Sequence, residues 1–264
     1  MTPTGLEQWP ARLQRARSAG GVRDEFPGAG AGVVVLAETD STQDAARRLG
    51  LAAGRVIVAG RQTAGRGRLG RAWADTGTEG IAVTFVVESP SAGAAPGRER
   101  LAVASAVGVA RAAESVLGRA VAIKWPNDIL VDGRKLAGIL IEQTDSLAYI
   151  GVGMNVSQKT WPAALADRAV SLAQLGAQVD RLEVLETLLP TIDTALRLTD
   201  NQLLDEFAAR DGLRGTTATF RSDGRTVRGL VERIDPLQGL LVNTGSQVVT
   251  LRAATTTLLS TPGD

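Results

Sequence analysis

The order of apolar and polar positions divides the chain into a long region of mixed strand and helix signals and a shorter region of strands alone. Positions 33–37 are an apolar, β-branched run, which predicts a buried strand leading into Glu38-Thr39-Asp40-Ser41-Thr42-Gln43-Asp44. A helix is expected to start there, because Ser41 with Asp44 three residues later has the form of a capping box. Gly50 stops that helix after 45–49. Positions 55–59 and 81–88 predict two more strands, 89–97 a loop, and 98–117 a long helix ended by Gly118. The small residues of that helix suit close packing on a sheet. Strands are then expected at 121–125, 129–131, 134–143 and 148–156, with Asp132-Gly133 as a hairpin turn.

Beyond this the pattern turns helical, with Asp180 and Glu183 as a cap pair and Pro190 interrupting a run that ends at Leu198. A second helix is expected over 201–209. From Gly215 the spacing predicts short strands at 216–221, 225–234, 240–244 and 247–252, a small all-β unit of barrel type. The first residues are rich in Gly, Ala and Arg and predict an arm with at most a short helix at 6–18. The expected organisation is therefore an arm over 1–32, an α/β (α+β) catalytic unit over 33–212 and a β-barrel over 213–264. No internal repeat is visible.

Composition narrows the chemistry by subtraction. The 264 residues include no Cys and no His, which excludes a thiolate nucleophile, an imidazole base and a Cys/His zinc site. A formal net charge of +1 provides no global field favouring nucleic acid or an anionic membrane. No apolar run approaches the length of a membrane span, and the first thirty residues lack the apolar core of a signal peptide, so a cytoplasmic location is expected. Of 29 basic residues only Lys124, Lys135 and Lys159 are lysines. Where arginine is the default cation, a retained lysine points to a site needing a compact ammonium with rotatable donors.

Two of those lysines fall in one segment, Lys124-Trp125-Pro126-Asn127-Asp128 through Lys135-Leu136-Ala137-Gly138. Upstream, Gln62-Thr63-Ala64-Gly65-Arg66-Gly67-Arg68-Leu69-Gly70-Arg71-Ala72-Trp73 interleaves arginine forks with glycines. Such a loop suits carboxylate and phosphate oxygens, and Trp73 beside the arginines suits a nucleotide base. It has neither the Walker spacing nor the dinucleotide fingerprint. Its glycine content carries an ordering cost that a bound ligand offsets.

Together with Asp40-Ser41-Thr42-Gln43 and Gly151-Val152-Gly153-Met154-Asn155-Val156, these motifs resemble the biotin protein ligases, in the right order. The resemblance implies a mixed-sheet, class II synthetase-like catalytic domain followed by an SH3-like barrel. It implies that biotin's carboxylate attacks the α-phosphorus of ATP, with Mg2+ accompanying the nucleotide and no protein metal site. A lysine of the biotin carboxyl carrier domain of an acetyl-CoA or other acyl-CoA carboxylase then takes the biotinyl group. By the same resemblance Lys135, Asp128 and Arg68 are catalytic, with Lys135 between the carboxylate and the α-phosphate. Ser41, Thr42, Gln43 and Gln62 would hydrogen-bond the ureido head, while Arg66, Gly67 and Arg68 close over the acyl-phosphate. Arg71, Trp73, Lys124, Asn127 and Asn155 would hold the nucleotide.

Two departures stand out. Gln43 replaces the family's usual Asn, and the Gly/Ala-rich first segment is too short for the winged-helix DNA-binding domain of some relatives. No DNA binding and no membrane partner are expected, and the protein is expected to be a monomer or weak homodimer. The rival readings are a lipoate or octanoate ligase and a non-catalytic biotin-sensing module.

Overall fold

The structure, a computed structural model, describes residues 5–19, 32–89, 97–252 and 255–261. Residues 20–31 of the expected arm and 90–96 of the expected loop lie outside the described residues. Strands β1 (Val33–Thr39) and β2 (Val56–Gln62) run parallel, connected through helix α2 (Thr42–Arg48). The remaining pairings are antiparallel and bring in β3 (Gly80–Glu88), β4 (Ala122–Lys124), β5 (Asp128–Val131), β6 (Arg134–Gln143) and β7 (Leu147–Asn155). The result is one seven-stranded mixed sheet in the order β1-β2-β3-β7-β6-β5-β4. Asp132 and Gly133 both adopt positive φ, 50° and 75°, at the β5–β6 turn, as the Asp-Gly pair predicts.

Helix α3 (Gly97–Leu117) covers one face of this sheet, and α4 (Arg181–Ala195) packs across it. Their approach is close at Gly108, where a Cβ would lie 2.7 Å from the Cα of Ile192. Helix α5 (Asp200–Ala208) completes that layer. The other face carries the short α2, whose Ala45 and Ala46 meet Ile57, Val86 and Tyr149. Strand alternation sorts β7 accordingly: Ala148, Ile150, Val152 and Met154 join the main core, leaving Tyr149, Gly151, Gly153 and Asn155 on the α2 face.

The α/β body departs from the pattern reading in three places. The short helix allowed at 6–18 forms as α1 (Trp9–Ala19), but in place of a free arm it buries Leu13 fully and docks on α4. Its Arg17, only 4% exposed, donates to both carboxylate oxygens of Asp193 at 2.7 and 2.9 Å. Pro190 does not interrupt α4, which runs through it with Leu188, Leu189 and Ile192 buried. The apolar burial of that face outweighs the missing amide. The expected Ser41–Asp44 capping box does not form: Ser41 is the N-cap but makes no side-chain cap hydrogen bond. Asp180 with Glu183 does form a capping box, as expected.

The C-terminal residues build β8 (Thr217–Ser222), β9 (Arg225–Asp235), β10 (Gly239–Asn243), β11 (Val248–Leu251) and a strand the pattern missed, β12 (Thr256–Ser260). They pair antiparallel in the order β11-β10-β9-β8-β12, so among the described residues the sheet is open between β11 and β12. Phe220, Val231, Leu240 and Val242 belong to the same buried cluster as the large sheet, which seats this unit against the α/β body.

Candidate active site

The α2 face of β6 and β7 presents glycine where neighbouring positions carry side chains. A Cβ on Gly151 would lie 3.0 Å from the Gln43 amide carbon, and one on Gly153 would lie 2.6 Å from the Trp73 ring. A Cβ on Gly138 would lie 2.9 Å from Lys135 Nζ. Three glycines thus make a floor on which Gln43, Trp73 and Lys135 rest, and larger residues would fill it.

Over that floor, the start of α2 is held by a side chain distant in sequence. Gln62 Oε1 accepts from the Thr42 amide at 2.9 Å and from Thr42 Oγ1 at 3.2 Å, and Thr84 Oγ1 donates to Thr42 Oγ1 at 2.8 Å. Asp40 accepts from the Ser41 amide at 2.7 Å and is pinned by Arg48, which holds its carboxyl below the usual carboxylate range. Backbone caps are therefore supplied by Gln62 and Asp40, and the buried Ser41 hydroxyl is not needed for that purpose. Gln43, expected at the ureido head, donates its amide N–H groups to the carbonyls of Tyr149 (2.9 Å) and Leu140 (3.2 Å). The extra methylene lets it tie β6 to β7, so in this geometry its NH2 is a strand tie.

The Gly/Arg loop is closed at its neck by the Trp73 amide donating to Gly65 O (2.9 Å) and the Gly67 amide donating to Arg71 O (2.7 Å). Arg66, expected over an acyl-phosphate, is engaged instead by two carboxylates. Its Nη2 donates to Glu142 Oε2 at 2.9 Å and to Asp44 Oδ1 at 3.0 Å, and its Nη1 also meets Asp44. That contact holds the Asp44 carboxyl below its ordinary range. Arg68 goes further inward, with Nη1 3.3 Å from Asn127 Oδ1 and Nη2 3.5 Å from the carbonyl of Thr256 on β12. Burial, and then the charge of Arg98, push its pKa down.

At the β5–β6 hairpin Lys135 Nζ lies 2.7 Å from Asp128 Oδ1 and 5.4 Å from the centroid of the Trp73 ring. The contact is an ion pair by distance, while Asp128 Oδ1 accepts no well-aligned hydrogen bond in the structure. Asn155 fixes the backbone beneath, its amide donating to Lys135 O (3.1 Å) and Val170 O (3.0 Å). Asn127 Nδ2 donates to Ile139 O at 2.8 Å. Lys124 stands opposite Asp128 on β4.

A cavity of about 450 Å³ opens beside this cluster, lined by Arg66, Gly67, Arg68 and Arg71 from the loop and by Asn127 and Glu142 below. Lys124 is not in that lining. Arg98 and Glu99, from the first turn of α3, also line it, and Arg98 Nη2 donates to Ile141 O at 3.0 Å. Arg98 and Thr84 escaped the sequence reading, Asp44 entered it only as a cap partner, and Glu142 was given no role there. Alternation along β6 would have placed Glu142 on the same face as Gly138, but nothing local marks Arg98. The structure brings together Lys135, Asp128, Asn127, Arg68 and Trp73 in one group and Ser41, Thr42, Gln43 and Gln62 in a second; Asn155 serves the first through the backbone. Among the described residues no group of three or more Asp or Glu side chains could hold a metal ion.

Comparison with known proteins identifies the family. Residues 32–155 match the biotin/lipoate A/B protein ligase family. The biotin–acetyl-CoA-carboxylase ligase of Mycobacterium tuberculosis is 33% identical over 260 residues, spanning 92% of this chain and 96% of that one. The ligase of the same name from Paracoccus denitrificans is 32% identical over 237 residues, 81% of this chain and 96% of that one. Among solved structures, the Aquifex aeolicus biotin protein ligase in complex with biotin and ATP superposes with a TM-score of 0.78 at 26% identity, covering 86% of this chain and 98% of that one. In motif order, in fold and across nearly the whole length of these relatives, the chain belongs to the biotin protein ligase family.

Proposed function

We infer that this chain is an ATP-dependent biotin protein ligase. The observation that carries the reading is Lys135, held by Asp128 under Trp73, with Asn127, the chain neighbour of Asp128, lining the arginine-rich cavity. An ammonium there neutralises the repulsion between a carboxylate and a phosphate, so a biotin carboxylate oxygen attacks the α-phosphorus of ATP and pyrophosphate leaves. The ε-amine of a lysine on the biotin carboxyl carrier domain of an acyl-CoA carboxylase then attacks the mixed anhydride. AMP departs, an amide forms, and Asp128 is the base placed to receive the amine's proton.

Arg68 faces the acyl-phosphate, Arg71 and Trp73 hold the nucleotide, and Lys124 and Asn127 lie around the phosphates and ribose. Asn155 works from below by fixing the Lys135 backbone. Ser41, Thr42 and Gln62 form the ureido subsite: a buried hydroxyl and a buried hydroxyl–amide network suit a head group that both donates and accepts. A lipoyl or octanoyl tail carries no ureido donors and acceptors to meet these side chains, which favours biotin over that rival. Magnesium enters with ATP, held by phosphate oxygens and water.

The catalytic unit spans 33–212 with α1 docked to it, and 213–264 is a five-stranded SH3-like unit that meets the loop through Arg68 and Thr256. The protein works in the cytoplasm as a monomer or weak homodimer without binding DNA; among the described residues no helix is long and apolar enough to cross a membrane. Exchange of labelled pyrophosphate into ATP, with biotin or lipoate supplied, tests the reading. Biotin-dependent exchange is expected; lipoate-dependent exchange would move the function to the rival ligase, and none with either acid would leave a binding module.

A further inference from the structure

We propose that Asp44 and Glu142 are positioning residues that latch the arginine loop over the site by holding Arg66. The two carboxylates reach Arg66 from different elements, α2 and β6, nearly a hundred positions apart in sequence. Arg47 closes the square, donating to Asp44 Oδ1 at 3.0 Å and Glu142 Oε2 at 2.6 Å while its guanidinium stacks 4.6 Å from the Tyr149 ring centroid. Two guanidinium groups and two carboxylates thus compensate one another, and only a planar fork can serve both acids at once.

The consequence for the loop follows from its neck. Arg66 is bridged to Ala72, and the backbone bonds from Gly67 to Arg71 and from Trp73 to Gly65 span the same stretch. Fixing Arg66 therefore fixes the base of the loop that carries Arg68 and Arg71. A Gly-rich loop otherwise carries a large ordering cost on closing over a ligand, and a pre-formed latch lowers it. The side chains of Arg66 and Asp44 are 36% and 33% exposed, so the cluster adds little to global stability; its effect falls on the loop.

The inference rests on the ligase reading for its kinetic half alone. Asp44→Asn, Glu142→Gln and the double variant keep shape and remove charge, and Asp44→Glu keeps the charge. Hydrogen exchange at amides 65–72 in the ligand-free chain and release of pre-formed biotinyl-adenylate are the two readouts. The double variant is expected to raise both about tenfold with the melting temperature nearly unchanged, and Asp44→Glu is expected to retain most of the native protection. Native-like loop exchange in the double variant overturns the latch, as does faster exchange spread evenly over the whole protein. A native chain that forms no adenylate overturns the ligase reading, and loop exchange alone then decides the latch.

Discussion

Lys135 and Asp128 face each other across the β5–β6 hairpin at 2.7 Å, and the lysine lies in a channel floored by Gly138. Lys135 Nζ occupies the space that Gly138 leaves open, 2.9 Å from the point where a Cβ on that residue would sit. Lys135→Ala is expected to lower biotin-dependent pyrophosphate exchange by about 10²–10³-fold, the loss typical of one preorganised charge at a developing anion. Lys135→Arg should not rescue it, because a planar fork does not reproduce a compact ammonium with rotatable donors. Full exchange by Lys135→Arg would sink this account.

Gly153→Ala places a methyl 2.6 Å from the Trp73 ring and must displace it. Overpacking of this kind costs about 1–3 kcal/mol. The expected result is a higher KM for ATP with a smaller change for biotin, accompanied by altered tryptophan fluorescence. Equal changes in both constants would place Trp73 away from the nucleotide.

Ser41 and Gln62 exchange the roles that local sequence suggests. Ser41→Ala should cost well under the ~1 kcal/mol of a lost N-cap, since no cap bond exists to lose, while weakening biotin binding. Gln62→Ala strands the Thr42 amide and is expected to destabilise by about 1–2 kcal/mol as well as to weaken binding. Urea denaturation and biotin titration of the two variants separate these effects, and the reverse order of stabilities would refute the assignment.

The buried Arg17–Asp193 pair ties α1 to α4 far from the chemistry. Removing one partner should cost about 3–5 kcal/mol because it leaves the other charge buried alone. Arg17→Met with Asp193→Leu should recover much of that loss, and exchange activity measured well below the melting transition should be native-like in the double variant. A loss below 1 kcal/mol for Arg17→Ala would show that α1 is not anchored here.

Asp44 titrates below its ordinary value of 3.8, chiefly because Arg66 hydrogen-bonds its charged form. The sign follows: a carboxyl with a depressed folded pKa contributes stability that is present above pH 3.8 and is lost as pH falls through the folded value. Loop protection should therefore hold from pH 7 to about 4 and fall below that. Asp44→Asn should flatten its own part of this profile; an unchanged profile in that variant would assign the titration to another group.

Much of the sheet was legible in the sequence because β strands with one or two buried faces carry their alternation locally. The Asp132-Gly133 turn, the 134–143 strand and the Asp180–Glu183 cap needed no tertiary information. Fourfold motif order sufficed for the family. What the tertiary structure decided were the pairings. Gln62 caps α2 from 20 positions away, Glu142 reaches Arg66 from 76, and Arg98 arrives at the cavity on a helix with no motif of its own. The arm at the N-terminus became a packed helix because Leu13 enters the core and Arg17 meets Asp193 on α4 and the carbonyl of Gly54, partners absent from the local sequence. Side-chain type and spacing fix which chemistry is possible within a segment; which carboxylate meets which guanidinium depends on chain closure, and so only the fold determines it.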